Sequence, residues 1–163
     1  MSLTKSDWLL EIAATLLLIT TCAMVGIRYS ELPTLVPSHY DANGAVDSFS
    51  NKGTLLFLIG INVFLYALLS FAATKTKQFN MSTEVMHANT TYQYQNAKSL
   101  IRGLKLVLMA TFFWIAYSYS TIEIALGNRQ NLGSWFLIAV LAGIAVTLGI
   151  FFWRGFRQSA NRH

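Results

Sequence analysis

Charge is scarce in this sequence. Only 12% of its 163 residues are charged while 54% are hydrophobic, against about 25% charged in an average soluble domain. A water-soluble globule must cover its surface with polar groups, and this chain has too few to make a cytosolic enzyme domain. Disorder needs low hydrophobicity and high charge, which the same composition excludes. Cysteine is nearly absent: Cys22 alone excludes an intramolecular disulfide, has no metal-ligand spacing around it, and reads as a small core residue in an apolar run. Proline is confined to Pro33 and Pro37. There is no Gly-rich phosphate loop, no His-Glu-x-x-His and no nucleophile elbow, and no internal repeat of the kind transporters show. What remains is an integral membrane protein built as one unit over residues 1–163.

Long apolar runs are what the sequence does have. A span needs roughly 20 apolar residues to cross about 30 Å of hydrocarbon. Four stretches qualify, at about residues 8–27, 54–73, 106–124 and 135–153. Asp7 and Glu11 weaken the positive lead-in of a signal peptide and no small-x-small cleavage site follows, so the first run reads as an uncleaved span. The expected fold is an all-α, four-helix membrane bundle with a Pro-containing outward loop over residues 28–53.

The basic excess, 12 Lys and Arg against 7 Asp and Glu, comes with no base-reading motif, so nucleic acid is not the expected partner. It serves instead to orient the chain. Lys5, Lys75, Lys77, Lys98, Arg102, Lys105, Arg154, Arg157 and Arg162 fall on one side; Arg28, Lys52 and Arg129 fall on the other. Nine against three places both termini and the middle connection in the cytoplasm and turns the 28–53 loop outward. Trp8, Trp135 and Trp153 sit at span ends as interfacial anchors. Ala139, Gly143 and Thr147 form a small-xxx-small face, expected to pack within the chain, with homodimerisation the alternative. Asn62 lies mid-span, where an unpaired amide is costly, and is expected to hydrogen-bond a neighbouring helix.

Between the second and third spans, Val85, Tyr92, Ala97, Leu100, Ile101 and Leu104 approximate helical spacing. Ser82 or Thr83 can cap such a helix and Glu84 suits its positive end. An amphipathic cytoplasmic helix is expected over about 82–105. It runs into the third span, with Lys98, Arg102 and Lys105 set to meet anionic headgroups.

The outward loop carries the densest chemistry. Pro33 and Pro37 favour extended or turn geometry before them, and Asn43-Gly44 is a strong turn signal. The turn gathers His39, Asp41 and Asp47. These three could offer one nitrogen and two carboxylates to a divalent metal; equally, His39 and Asp47 could bond each other or the backbone and fix the turn. No cofactor is otherwise expected. Glu84 and His87 share a helix face but lack further ligands. Glu123 can pair with Arg129 or Arg28, and His163 is terminal.

The run Leu32, Pro33, Pro37, His39, Gly44, Asp47 and Lys52 resembles the hallmark of the membrane family called domain of unknown function 1648 (DUF1648), found in SdpI-like bacterial immunity proteins. Phe79, Asn80, Gln93, Tyr94, Ala97, Leu100 and Lys105 are similar to positions in its smaller members, so the likeness covers about residues 10 to 120. SdpI proteins are longer, with more spans. The resemblance implies a multi-pass protein of the bacterial plasma membrane that protects against a membrane-active toxin peptide and holds a cytoplasmic repressor. The expected residues are His39, Asp41, Asn43, Gly44, Asp47 and Lys52 outside, for ligand binding or for structuring the loop, and Glu84, Gln93, Tyr94, Lys98 and Arg102 inside, for a cytoplasmic interaction. The alternative is a metal-dependent membrane enzyme or small transporter that uses the outward His/Asp loop; catalysis is the less favoured class.

Overall fold

The computed structural model describes residues 4–76, 90–120 and 132–160. It contains α1 (Lys5–Arg28), β1 (Leu35–Tyr40), β2 (Val46–Asn51), α2 (Gly53–Lys75), α3 (Thr90–Ser120) and α4 (Trp135–Ala160). All four helices are long and apolar enough to cross a membrane. At 1.5 Å per residue the shortest, α2, reaches about 35 Å, enough for the hydrocarbon core. Bundle and span number therefore agree with the sequence reading.

The helix before the third span runs into it, as one continuous α3 from Thr90. What differs is the spanning portion, Tyr92–Tyr119, which begins earlier than the expected residue 106. No proline or helix-breaking turn separates the polar first turns from the apolar remainder, so the backbone has no reason to stop. Residues 82–89 of the expected helix, including Glu84 and His87, lie outside the described residues, as do Lys77, Phe79, Asn80, Glu123, Arg129, Arg162 and His163. The outward loop is more ordered than a stiffened connection: β1 and β2 pair antiparallel.

Helix α1 starts on a capping box. Asp7 N–H donates to Thr4 Oγ1 at 3.2 Å and Thr4 N–H donates to Asp7 Oδ2 at 3.2 Å, satisfying donors that a helix start leaves free. The hub of the bundle is α3, packed against α1, α2 and α4, while α4 leans chiefly on α3. The small face of α4 meets α3 directly. A Cβ on Gly103 would lie 2.6 Å from Thr147 Cγ2, and one on Gly143 would lie 3.1 Å from Val107. The stripe therefore brings two helices of one chain together, as small residues do in lipid.

Asn62 departs from expectation. It is fully buried, yet neither its amide nitrogen nor its oxygen has a hydrogen-bond partner. The α2 side chains that do bond a neighbouring helix are Tyr66, with Thr15 at 2.7 Å, and Ser70, with Lys105 at 2.9 Å.

Candidate functional site: an anchored hairpin above a buried ion-pair cluster

Two polar assemblies stand out, one in the hairpin and one between α1 and α3. The hairpin turns at Asp41–Ala45. Asp41 Oδ1 accepts from the backbone N–H of Asn43 and of Ala45, both at 2.8 Å, and Asp41 N–H donates to Ala45 O at 2.8 Å. This is the self-bonding that makes Asp a turn residue. Of the Asn43-Gly44 pair only Gly44 uses left-handed backbone, at φ +77°. A Cβ there would also lie 2.7 Å from Gly133 O, so glycine is required twice over.

The register slips at Pro37–His39 and at His39–Tyr40, which sets His39 opposite Ser48. Such a bulge re-aims a side chain: His39 Nδ1 and Asp47 Oδ1 are 2.6 Å apart although the two residues are not register partners. Both side chains remain exposed, at 71% and 47%. Of the three candidate metal ligands, His39 and Asp47 meet each other, while Asp41 is engaged by its own turn. Among the described residues no three His, Cys, Asp or Glu side chains converge in a group able to hold an ion.

Lys52, Tyr119 and Leu132 fasten this hairpin to the rest of the molecule. Lys52 Nζ donates to Tyr29 O at 3.2 Å and Leu32 O at 3.3 Å and lies 5.0 Å from the centre of the Tyr29 ring. A cation is thereby placed on the carbonyl end of α1, where the helix dipole favours it. Tyr119 Oη, from α3, donates to Pro37 O. Leu132 N–H donates to Gly44 O at 2.9 Å, and Trp114 Nε1 donates to Leu132 O at 3.0 Å, so the segment before α4 joins the turn to α3. Beneath lies an apolar seal of Val25, Leu32, Val36, Leu55, Ala116 and Tyr119. Burial pushes the Tyr40 phenol well above its usual range, and adjacent Tyr119 adds to the effect. It stays a neutral hydrogen-bonding group. On the hairpin, Leu35, Ser48 and Phe49 are exposed, as are His39 and Asp47.

The second assembly was not foreseen as one. Arg102 Nη1 lies 3.1 Å from Asp7 Oδ1 and Arg102 Nε 3.0 Å from Glu11 Oε1; Lys105 Nζ lies 2.5 Å from Glu11 Oε2. Ser99 Oγ donates to Asp7 Oδ1 at 2.9 Å, and Lys105 Nζ to Ser70 Oγ at 2.9 Å. Lys105 is fully buried and Arg102 is 6% exposed. The expectation that these two meet anionic headgroups is therefore corrected. Two cations inside the bundle need two counter-charges, and α1 supplies them one turn apart.

A buried Ser–Lys pair can serve as nucleophile and base. Here, however, Lys105 is an ammonium held against Glu11, so Ser70 receives a hydrogen bond instead of losing a proton. Lys98, Gln93 and Tyr94 stay half-buried on the first turns of α3, and Lys98 has no ion pair among the described residues. Arg28 pairs with Glu31 at 3.1 Å.

The signal that would have found the cluster is complementary spacing. Asp7 and Glu11 are four apart, Arg102 and Lys105 three apart, each pair on one helical face at the same end of its span.

Comparison with known proteins places the hairpin in a family context. Residues 16–63, from within α1 through the hairpin into α2, match the family model described as "Domain of unknown function (DUF1648)". No curated protein and no solved structure matches the chain.

Proposed function

We propose that the protein is a membrane-embedded recognition module of the SdpI-like immunity type in the bacterial plasma membrane. Its hairpin faces outward and receives a membrane-active toxin peptide. Its termini and middle connection face the cytoplasm, where Lys98 and its neighbours on α3 meet a repressor. The observation that carries this reading is the hairpin's construction: it is fixed to α1, to α3 and, through Leu132, to the segment before α4, while Leu35, His39, Asp47 and Phe49 remain exposed. A rigid base with an exposed apolar and charged edge is what recognition requires, because pre-organisation lowers the entropic cost of binding. The orientation rests on charge. With Arg102 and Lys105 neutralised inside the bundle, the basic residues still divide seven against three in favour of the side bearing the termini.

The test is genetic. Cells lacking the protein are challenged with a panel of membrane-active peptides. The expected result is sensitisation to at least one peptide, reversed by restoring the wild-type chain. Unchanged survival across the panel contradicts the proposal.

A further inference from the structure

Where the N-terminal end of α1 meets α3 and α4, the three helices enclose a groove of about 420 Å³. Its length is apolar, with Leu10, Leu106, Val146 and Ile150 along it, and Ser6, Asn96 and Arg154 form its polar end. Asn96 Nδ2 donates to Phe151 O at 2.9 Å, which fixes the amide's orientation, because a carbonyl can only accept. That leaves Asn96 Oδ1 with no partner, although the residue is only 7% exposed. Buried acceptors are rarely left without a donor. Arg154 lends its carbonyl to the Tyr92 hydroxyl at 3.2 Å, and among the described residues its guanidinium has no ion pair. An apolar trough that ends in a cation unpaired among the described residues, beside an acceptor that lacks a donor, suits an amphiphile with an anionic, hydroxyl-bearing head.

We propose that this groove binds one anionic phospholipid. An acyl chain lies along Val146 and Ile150, the phosphate meets Arg154, and a headgroup hydroxyl donates to Asn96 Oδ1. A second copy of the chain would bring to the same place either an apolar helix face or another cation. Neither supplies the negative charge that Arg154 calls for. The site is independent of the hairpin and of what the hairpin recognises.

The test uses the full chain reconstituted with phosphatidylglycerol or phosphatidylcholine, followed by mass spectrometry of the lipid retained after gentle detergent extraction. One phospholipid per chain is expected, with phosphatidylglycerol preferred roughly tenfold, the scale of one charge-assisted contact. Arg154→Gln should abolish that preference. Val146→Trp, which fills the trough from its exposed side, should abolish retention, and Ile150→Trp serves in its place should the first variant lose its helical signal. Equal retention of both lipids by the wild type would overturn the proposal, as would an unchanged preference in Arg154→Gln. So would a lipid-free dimer that Val146→Trp dissociates, which would make a second copy the occupant.

Discussion

Lys105, fully buried on α3, holds its ammonium 2.5 Å from Glu11 Oε2 on α1. Glu11 also takes Arg102 Nε at 3.0 Å, so one carboxylate serves two cations from the neighbouring helix. Removing one member of a buried ion pair strands the other charge, at a cost of about 3–5 kcal/mol. Glu11→Ala leaves Lys105 only the Ser70 hydroxyl and no counter-charge, and should approach that cost. Lys105→Met leaves Glu11 its Arg102 and should cost clearly less, and Glu11→Ala combined with Lys105→Met should recover part of the loss. Unfolding in detergent measured across the four chains gives the cycle. Equal losses for the two single variants would mean that the cations do not share the carboxylate.

Lys52 joins the start of α2 to the end of α1 through Tyr29 O and Leu32 O. Lys52→Met keeps most of the side-chain volume but leaves two carbonyls without their donor, and should lower stability by about 1–3 kcal/mol. Amide exchange of the hairpin should accelerate along with it. A loss of stability without faster exchange would separate the lysine from the anchoring of the hairpin.

Gly44 has φ +77° and no room for a Cβ beside Gly133 O. Gly44→Ala should therefore cost more than the roughly 1–2 kcal/mol of left-handed backbone alone, and should detach the turn from the segment before α4. Exchange of the Leu132 amide, now bonded to Gly44 O, is the readout: rapid exchange is expected, and unaltered protection would contradict the packing described.

Ser48 is exposed on β2. In a Cys22→Ser background, Ser48→Cys should react with a membrane-impermeant maleimide on intact cells. Labelling that appears only after permeabilisation would invert the orientation.

Much of this was legible in the sequence because membrane spans depend on composition over 20-residue windows, which a single chain reports directly. The hairpin's turn was legible in Asn43-Gly44 and Asp41, since turn chemistry is local. Its strands were not: VPSHY and VDSFS carry a proline and few strand-forming residues, and pairing depends on anchors that lie far off in sequence, at Tyr119 and Leu132. The Asp7–Glu11–Arg102–Lys105 cluster was misjudged for the same reason. Its members are some 90 residues apart, and basic residues near a span end look alike whether they face headgroups or a neighbouring helix. Asn62 was expected to find a partner, and α3 offers it none.

The His39–Asp47 pair separates stability from recognition. It is exposed on both sides, and solvent-screened pairs contribute only about 0–1 kcal/mol, so His39→Ala and Asp47→Ala should leave unfolding and membrane level close to wild type. The most direct measurement is survival of cells carrying either variant against the peptide to which the deletion strain is sensitised. The account predicts sensitivity approaching that of the deletion strain at normal protein level. Wild-type survival of both variants would contradict it.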